Sequence, residues 1–254
     1  MTDDVEKPQA LPRLTAARIG LGRTGASLPT RAVLDFALDH ARARDAVHAT
    51  LDVETLGDQV RRLGFEALSV TSAAPDRHTY LSRPDLGARL SPASHAALSD
   101  LSGSGPDLTI VLADGLSSRA LDHAGSLLAE LKSAMVPDSW IVSPVVIATQ
   151  ARVALGDEVG ASLGASMVLI LIGERPGMSS PDSLGAYLTW NPVVGRSNAE
   201  RNCVSNIRPA GLKPEDAART IFWLMKEARR LKLTGVELKD LSGLGAISSS
   251  RALP

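Results

Sequence analysis

Three glycines near the start of the chain, Gly20, Gly22 and Gly25, have the spacing G-x-G-x-x-G that can cradle the phosphates of a dinucleotide. That chemistry needs a strand directly before the glycines and a helix directly after them, because the pyrophosphate lies at the helix N-terminus. The preceding residues, TAARI, are a poor strand, and Pro29 separates the glycines from the next helical pattern. The context therefore favours a glycine-rich loop at an interface. A stand-alone NAD-type oxidoreductase is the alternative function.

A second candidate is the pentapeptide GERPG (residues 173–177), which directly follows the apolar run SMVLILI (residues 166–172). Such a run is typical of a buried strand, and ligands of open α/β sheets collect outside the carboxyl ends of strands. Glu174 could accept a hydrogen bond from a ligand amide or hydroxyl, and the flanking glycines allow close backbone approach. Arg175 could instead be the structural ion-pair partner of Glu174. From the residues alone, a ligand site and a surface loop are equally open.

The loop DGLSS (residues 114–118) has the same type of position, because it follows the apolar run LTIVLA (residues 108–113). Ser117 or Ser118 could equally cap a helix, which is the commoner role of serine at such a place. Cys203 is the single cysteine, which excludes an internal disulfide and fits a reducing compartment. A lone cysteine is more often a buried small apolar residue than a nucleophile.

No sequence motif supports metal binding or nucleophilic catalysis by this chain. The histidines have no zinc-like spacing with Cys203, and the chain has no H-E-x-x-H, phosphate-binding loop or G-x-S-x-G motif. The adjacent carboxylates Asp157 and Glu158 are typical of a solvated helix turn. We therefore predict no catalytic residue and no metal ligand in this chain. The loops at the strand ends indicate a polypeptide that holds a ligand.

The elements that would position these loops alternate from about residue 65 onward, strand then helix, which indicates crossover connections. We predict an α/β fold with a Rossmann-like, largely parallel sheet and helices on both faces, preceded by a small helical N-terminal region. The corresponding division is residues 1–64, an arm with a small helical region, and residues 65–254, the α/β domain. The clearest helix pattern is residues 213–231, with Pro214 near its start.

Charge and hydropathy exclude several classes of protein. The chain of 254 residues has 27 Lys and Arg against 28 Asp and Glu, so it has no basic footprint for nucleic acid. No run approaches the roughly 20 apolar residues of a membrane span, and the N-terminus lacks the apolar core of a secretory signal. We expect a soluble intracellular protein.

Five segments, in order, carry a resemblance to a known family: TAARIGLGRTG, YLSRPDLGARL, VLADGLSS, LGASMVLILIGERPG and NCVSNIRPAGLKPEDAA. Together they resemble the small (light) subunit of ethanolamine ammonia-lyase, from about residue 15 to residue 232. The resemblance implies a hetero-oligomer in which adenosylcobalamin lies between a large and a small subunit. It also implies a lyase that converts ethanolamine to acetaldehyde and ammonia by radical chemistry, with ethanolamine and the catalytic residues on the large subunit.

The resemblance carries three cobalamin contacts onto this sequence: Val153, Glu174 and Cys203. Val153 would meet the corrinoid through its backbone or side chain, Glu174 would accept from a corrin side-chain amide, and Cys203 would touch the corrinoid periphery without acting as a nucleophile. The D-x-H-x-x-G motif of base-off cobalamin proteins is missing, because the glycine after His123 has the wrong spacing. The resemblance therefore implies base-on binding, with His123 not a cobalt ligand.

The resemblance also implies a cytoplasmic enzyme, in some bacteria one enclosed in a microcompartment. Family members in microcompartment-forming bacteria can carry an N-terminal targeting segment that forms an amphipathic helix. Pro8 and Pro12 oppose a helix at this place in the present chain. The sequence assigns no role to the C-terminal tail.

Overall fold

The computed structural model describes residues 17–101, 103 and 105–243. The arm expected at residues 1–14 and the tail ISSSRALP lie outside the described residues. Strands of the sheet are β1 (Ala67–Thr71), β2 (Leu108–Ala113), β3 (Val145–Thr149), β4 (Met167–Gly173), β5 (Leu184–Trp190) and β6 (Asn202–Ile207). The α-helices are α1 (Thr30–His48), α2 (Val53–Arg62), α3 (Arg77–Ser82), α4 (Pro84–Gly87), α5 (Pro92–Ser99), α6 (Ala124–Met135), α7 (Leu155–Ser162) and α8 (Pro214–Leu231).

The strands form a mixed sheet with the order β1-β3-β2-β4-β5-β6. The first four strands are parallel to one another, whereas β5 and β6 are antiparallel to their neighbours. The prediction of an α/β fold is confirmed, but a largely parallel, Rossmann-like sheet describes only the half from β1 to β4. Residues 174–183 connect β4 to β5 without a crossover helix, so the chain can only reverse its direction there.

Helices cover both faces of the sheet, as predicted. On one face α2, α6 and α8 pack against alternate residues of the strands, such as Leu108, Ile110 and Leu112. On the other face α5 and α7 pack against the intervening residues of the same strands, such as Val111 and Ala113 of β2. Helix α2 shares its core with the sheet, and the division of the chain at residue 64 stays a prediction.

Local sequence explains where the principal helices begin. Asp52 accepts a hydrogen bond from the Thr55 backbone N–H, which caps α2. The predicted C-terminal helix is confirmed: α8 has Pro214 in its first turn and Glu215 beside it, where negative charge favours the helix start. Among the described helices, none has the length and apolar content needed to cross a membrane.

A buried ion pair between Asp157 and Arg201 fixes the start of β6 against α7. Asp157 is 1% exposed and Arg201 is 7% exposed, and burial raises the pKa of the Asp157 carboxyl although Arg201 opposes this shift. Next to it, Glu158 accepts a hydrogen bond from the Leu90 backbone N–H at 2.9 Å. The interpretation of this carboxylate pair as a solvated helix turn is therefore wrong. Each carboxylate joins α7 to a distant part of the chain.

Replacing Arg201 by methionine should lower the free energy of unfolding by about 3–5 kcal/mol, because it leaves the Asp157 carboxylate buried without its counter-charge. Urea unfolding followed by circular dichroism measures the change. The matched control is Arg230→Met, which removes an exposed ion pair with Glu227 on α8 and should leave the midpoint unchanged. Equal midpoints for both variants would contradict a stabilising role for the buried pair.

Candidate functional site

An open cleft of about 400 Å³ lies at the carboxyl ends of β2 and β4. After β2 the chain leads to β3 on one side, and after β4 it leads to β5 on the other side. The two connections diverge, which creates the crevice where ligands bind in open α/β sheets. Its walls consist of residues 115–116, 152–153 and 172–175, together with Tyr80 and Tyr187.

Two glycines allow the loops after β2 and β4 to touch at the floor of this cleft. The Leu116 backbone N–H donates to the Gly173 carbonyl at 2.9 Å. A Cβ atom on Gly173 would lie 2.0 Å from the Ser117 carbonyl oxygen, and one on Gly115 would lie 2.1 Å from the Gly173 oxygen. The glycine of GERPG was expected to admit a ligand to the backbone, but the group that approaches here is the neighbouring loop.

Asp114 positions the segment that carries Val153. Its carboxylate accepts hydrogen bonds from the backbone N–H groups of Gln150, at 2.8 Å, and Ala151, at 3.0 Å. Arg77 lies 3.6 Å from the same carboxylate. Burial raises the pKa of Asp114, and these partners favour the charged form. Asp114 thus links the end of β2 to the segment that follows β3.

Two arginines enclose the ring of Tyr80 at one side of the cleft. The guanidinium of Arg77 lies 4.7 Å from the ring centroid and that of Arg152 lies 4.2 Å from it. The Tyr80 hydroxyl donates to the Ala151 carbonyl at 3.1 Å, and burial raises the pKa of Tyr80 to about 12. The Nε atom of Arg152 is buried and has no hydrogen-bond partner within the described residues. This wall therefore offers an unused donor.

Glu174 lies half-buried on the opposite side of the cleft. Its Oε2 atom accepts hydrogen bonds from the Ser183 hydroxyl and, at 3.2 Å, from the Asn206 backbone N–H. Across the part of the chain that the structure describes, Oε1 accepts none, and Arg175 makes no ion pair with it. The ion-pair alternative for Glu174 and Arg175 is therefore not supported. Glu174 is held in place with one oxygen available.

Cys203 lies beside Glu174 and Tyr187 rather than inside the core. It is directly opposite Tyr187 in the pairing of β5 with β6, so the two side chains lie on the same face of the sheet. The residue is exposed, so its interpretation as a buried packing residue is wrong. Partial burial of the thiol nevertheless raises its pKa above the ordinary value of a cysteine, although the Tyr187 hydroxyl opposes this shift. A neutral thiol is a weak nucleophile at neutral pH.

The structure thus brings the three residues carried over by resemblance to one edge of the sheet. Val153 and Glu174 line the same cleft, and Cys203 adjoins it through Tyr187. Tyr80 and Arg152 are part of this cleft but were missed: Tyr80 lies in the family segment YLSRPDLGARL, yet no local pattern links it to an arginine 72 residues away. Within the described residues, no group of three or more His, Cys, Asp or Glu could hold a metal.

Other features singled out in the sequence lie elsewhere. No strand precedes Gly20 in the described chain, and a Cβ atom added to any of the three motif glycines would meet nothing within 4 Å. The context for dinucleotide binding is therefore absent. Ser117 and Ser118 cap no helix; their hydroxyls donate to the carbonyls of Pro181 and Ala49.

Replacing Gly173 by alanine should separate the two loops, because the new methyl group overlaps the Ser117 carbonyl. We expect the free energy of unfolding to fall by about 1–3 kcal/mol or more, as when a core is overpacked, which a lowered thermal midpoint would show. Gly125→Ala in α6 is the matched control, since its Cβ would meet nothing within 4 Å and alanine favours helix. A Gly173 variant as stable as the control would show that the contact is not required.

Comparison with known proteins assigns the chain to a family. The model of the ethanolamine ammonia-lyase light chain (EutC) family matches residues 5–239. A protein of Rhodopseudomonas palustris named ethanolamine ammonia-lyase small subunit is 52% identical over 99% of this chain and 97% of its own length. Two further proteins with the same name are similar to this chain. The one from Azotobacter vinelandii is 51% identical over 97% of this chain and 93% of its own length. The one from Bradyrhizobium diazoefficiens is 54% identical over 90% of this chain and 88% of its own length. The chain therefore belongs to the ethanolamine ammonia-lyase light chain family.

Proposed function

We propose that the cleft after β2 and β4 forms one wall of an adenosylcobalamin site, and that the large subunit of an ethanolamine ammonia-lyase forms the other wall. The chain is one subunit of a multi-subunit ammonia-lyase, as its relatives' names indicate. One observation carries the proposal: Val153 and Glu174, distant in sequence, line a single cleft at the point where connections diverge. The NAD-type alternative has no such support.

The chemistry of the cleft fits the edge of a corrin, which carries side-chain amides. The available Oε1 atom of Glu174 can accept from an amide N–H, and the unpartnered Nε of Arg152 can donate to an amide carbonyl. Val153 is half-buried and packs against the core, so its backbone is a fixed element of this wall. Cys203, as a neutral thiol, would contact the periphery only.

The dimensions of the cleft support a shared site. A volume of about 400 Å³ suits a drug-sized ligand, and cobalamin is considerably larger. The cleft is also open on one side, so a second polypeptide must enclose the remainder. Sharing the cofactor in this way agrees with the expectation that the catalytic residues lie on the large subunit.

Adenosylcobalamin, when bound, supplies the radical chemistry of such an enzyme through cleavage of its cobalt–carbon bond. The residues of this chain would hold the corrin edge, orient it and exclude water from one side. His123 is engaged at 3.0 Å with Asp182 outside the cleft, which supports base-on binding without a protein histidine on cobalt. We place ethanolamine and the catalytic residues on the large subunit. We place the enzyme in the cytoplasm, in some bacteria within a microcompartment.

Replacing Glu174 by alanine should weaken cobalamin binding to the complex of both subunits by about 1–3 kcal/mol, because a buried amide partner is stranded. Titration followed by the visible spectrum of the corrinoid measures the affinity. Glu174→Gln retains an acceptor at the same place and should bind more tightly than the alanine variant. Glu237→Ala is the control, because it removes an exposed carboxylate from the turn that Asn202 holds at the start of β6, outside the cleft. Unchanged affinity in the alanine variant would reject the proposed wall.

The single cysteine gives an independent probe of the same wall. Alkylation of Cys203 in the cofactor-free complex should be slow at neutral pH and accelerate as pH rises toward the raised pKa of the thiol, because only the thiolate reacts. Adding cobalamin should slow the reaction several-fold by covering the thiol. Mass spectrometry of this chain follows the modification. An alkylation rate that does not respond to cobalamin would place the corrin away from Cys203.

A further inference from the structure

Helix α1 presents a large apolar surface that the other described residues leave uncovered. Of its residues only Ala46 is buried, whereas Leu34 is 63% exposed and Phe36 is 49% exposed. Helical stability in proteins comes mainly from packing of an apolar face, and contiguous exposed apolar patches mark interaction sites. We name as the α1 surface the exposed apolar residues Ile19, Leu21, Leu28, Val33, Leu34, Phe36 and Leu38.

The glycine-rich segment before α1 belongs to the same surface. Arg18 pairs with Asp39 at 2.6 Å, and its guanidinium lies 5.4 Å from the centre of the Phe36 ring. The segment therefore folds back along the helix. Gly20 has a positive φ of 63°, as do the other two glycines of the motif at similar angles, so glycine permits this exposed path.

Both ends of α1 adjoin the rim of the cleft. Arg77 donates from Nε to the Val47 carbonyl at 2.7 Å and from Nη1 to the Gly115 carbonyl at 2.8 Å, which joins the helix C-terminus to the cleft wall. At the other end, Ser179 from the loop after Arg175 contributes to an open groove with Arg18 and Pro29. A polypeptide that covers the cleft therefore meets α1.

We infer that the α1 surface is a docking site for the large subunit, continuous with the interface that closes over the cleft. The inference rests on the proposed function, which requires a second polypeptide at this rim. Val33 and Phe36 form one apolar stripe, and Leu34 and Leu38 form another, about 150° away around the helix at 3.6 residues per turn. Two such stripes suit a groove that grips the helix from both sides. A symmetric pairing with a second copy of this chain would cover only one of them.

Two pairs of substitutions test this docking site in the co-expressed complex of the full chain and its large subunit. Leu34→Ser with Leu38→Ser removes one stripe, and Val33→Ser with Phe36→Ser removes the other. Val136→Ser with Val236→Ser is the matched control, because these side chains are 70% and 72% exposed and lie in turns after α6 and α8 that line neither the cleft nor the groove beside α1. The dissociation constant of the two subunits is measured by dilution with mass photometry.

Each α1 pair should weaken subunit association by about ten-fold or more, the loss expected when central apolar contacts are truncated. The control pair should change it less than about two-fold. Unchanged association of both α1 pairs with the large subunit would overturn the inference. So would variants that still bind the large subunit but no longer associate with a second copy of this chain. Amide hydrogen exchange in the unsubstituted chain tests the same site without the risk of a folding defect. Exchange of the α1 amides should slow when the large subunit binds, and exchange that does not slow would also overturn the inference.

The outcome separates docking from cofactor binding. Weaker association in the α1 pairs, together with unchanged cobalamin affinity in the Glu174→Ala complex, would retain the docking site and reject the cofactor wall. Unchanged association in the α1 pairs, together with weakened cobalamin affinity in the Glu174 variant, would reject the docking site and retain the wall.

Discussion

The close contact between the loops after β2 and β4 is the constraint on which the rest of the site depends. Gly115 and Gly173 let the two backbones meet where a single methyl group would overlap a carbonyl oxygen. This contact closes the floor between adjacent parallel strands, so the groups above it face one opening. The side chains of Val153 and Glu174 owe their proximity to this backbone arrangement rather than to any direct bond between them.

Polar groups around this opening are held by partners behind them. Asp114 fixes the segment that leads to Val153, and the ring of Tyr80 separates two guanidinium groups. Glu174 is anchored through one carboxylate oxygen and leaves the other available. Such preorganisation lowers the cost of binding a ligand, because few side chains must become ordered. The cleft nevertheless remains open, and the other described residues leave the apolar side chains of α1 uncovered, so both are free to contact a second polypeptide.

The sequence predicted the elements whose signals are local. The uninterrupted apolar run before GERPG predicted β4, and its position at a strand end made Glu174 a candidate; that Glu174 holds a ligand stays a prediction. The antiparallel β6 was not predicted, because NCVSNI is a short and weakly apolar segment whose pairing depends on β5. Asp157 was misinterpreted because its partner Arg201 is 44 residues away and gives no local pattern. Val153 came only from the family resemblance, since an ordinary valine after an arginine carries no chemical signal.

The most direct test of the account is a structure of the complete complex of large and small subunits with cobalamin bound. The account predicts that the corrin edge lies in the cleft, with a side-chain amide within hydrogen-bond distance of the Glu174 carboxylate and with Val153 and Cys203 at its periphery. A corrin enclosed by the large subunit alone, out of contact with Glu174, would contradict it.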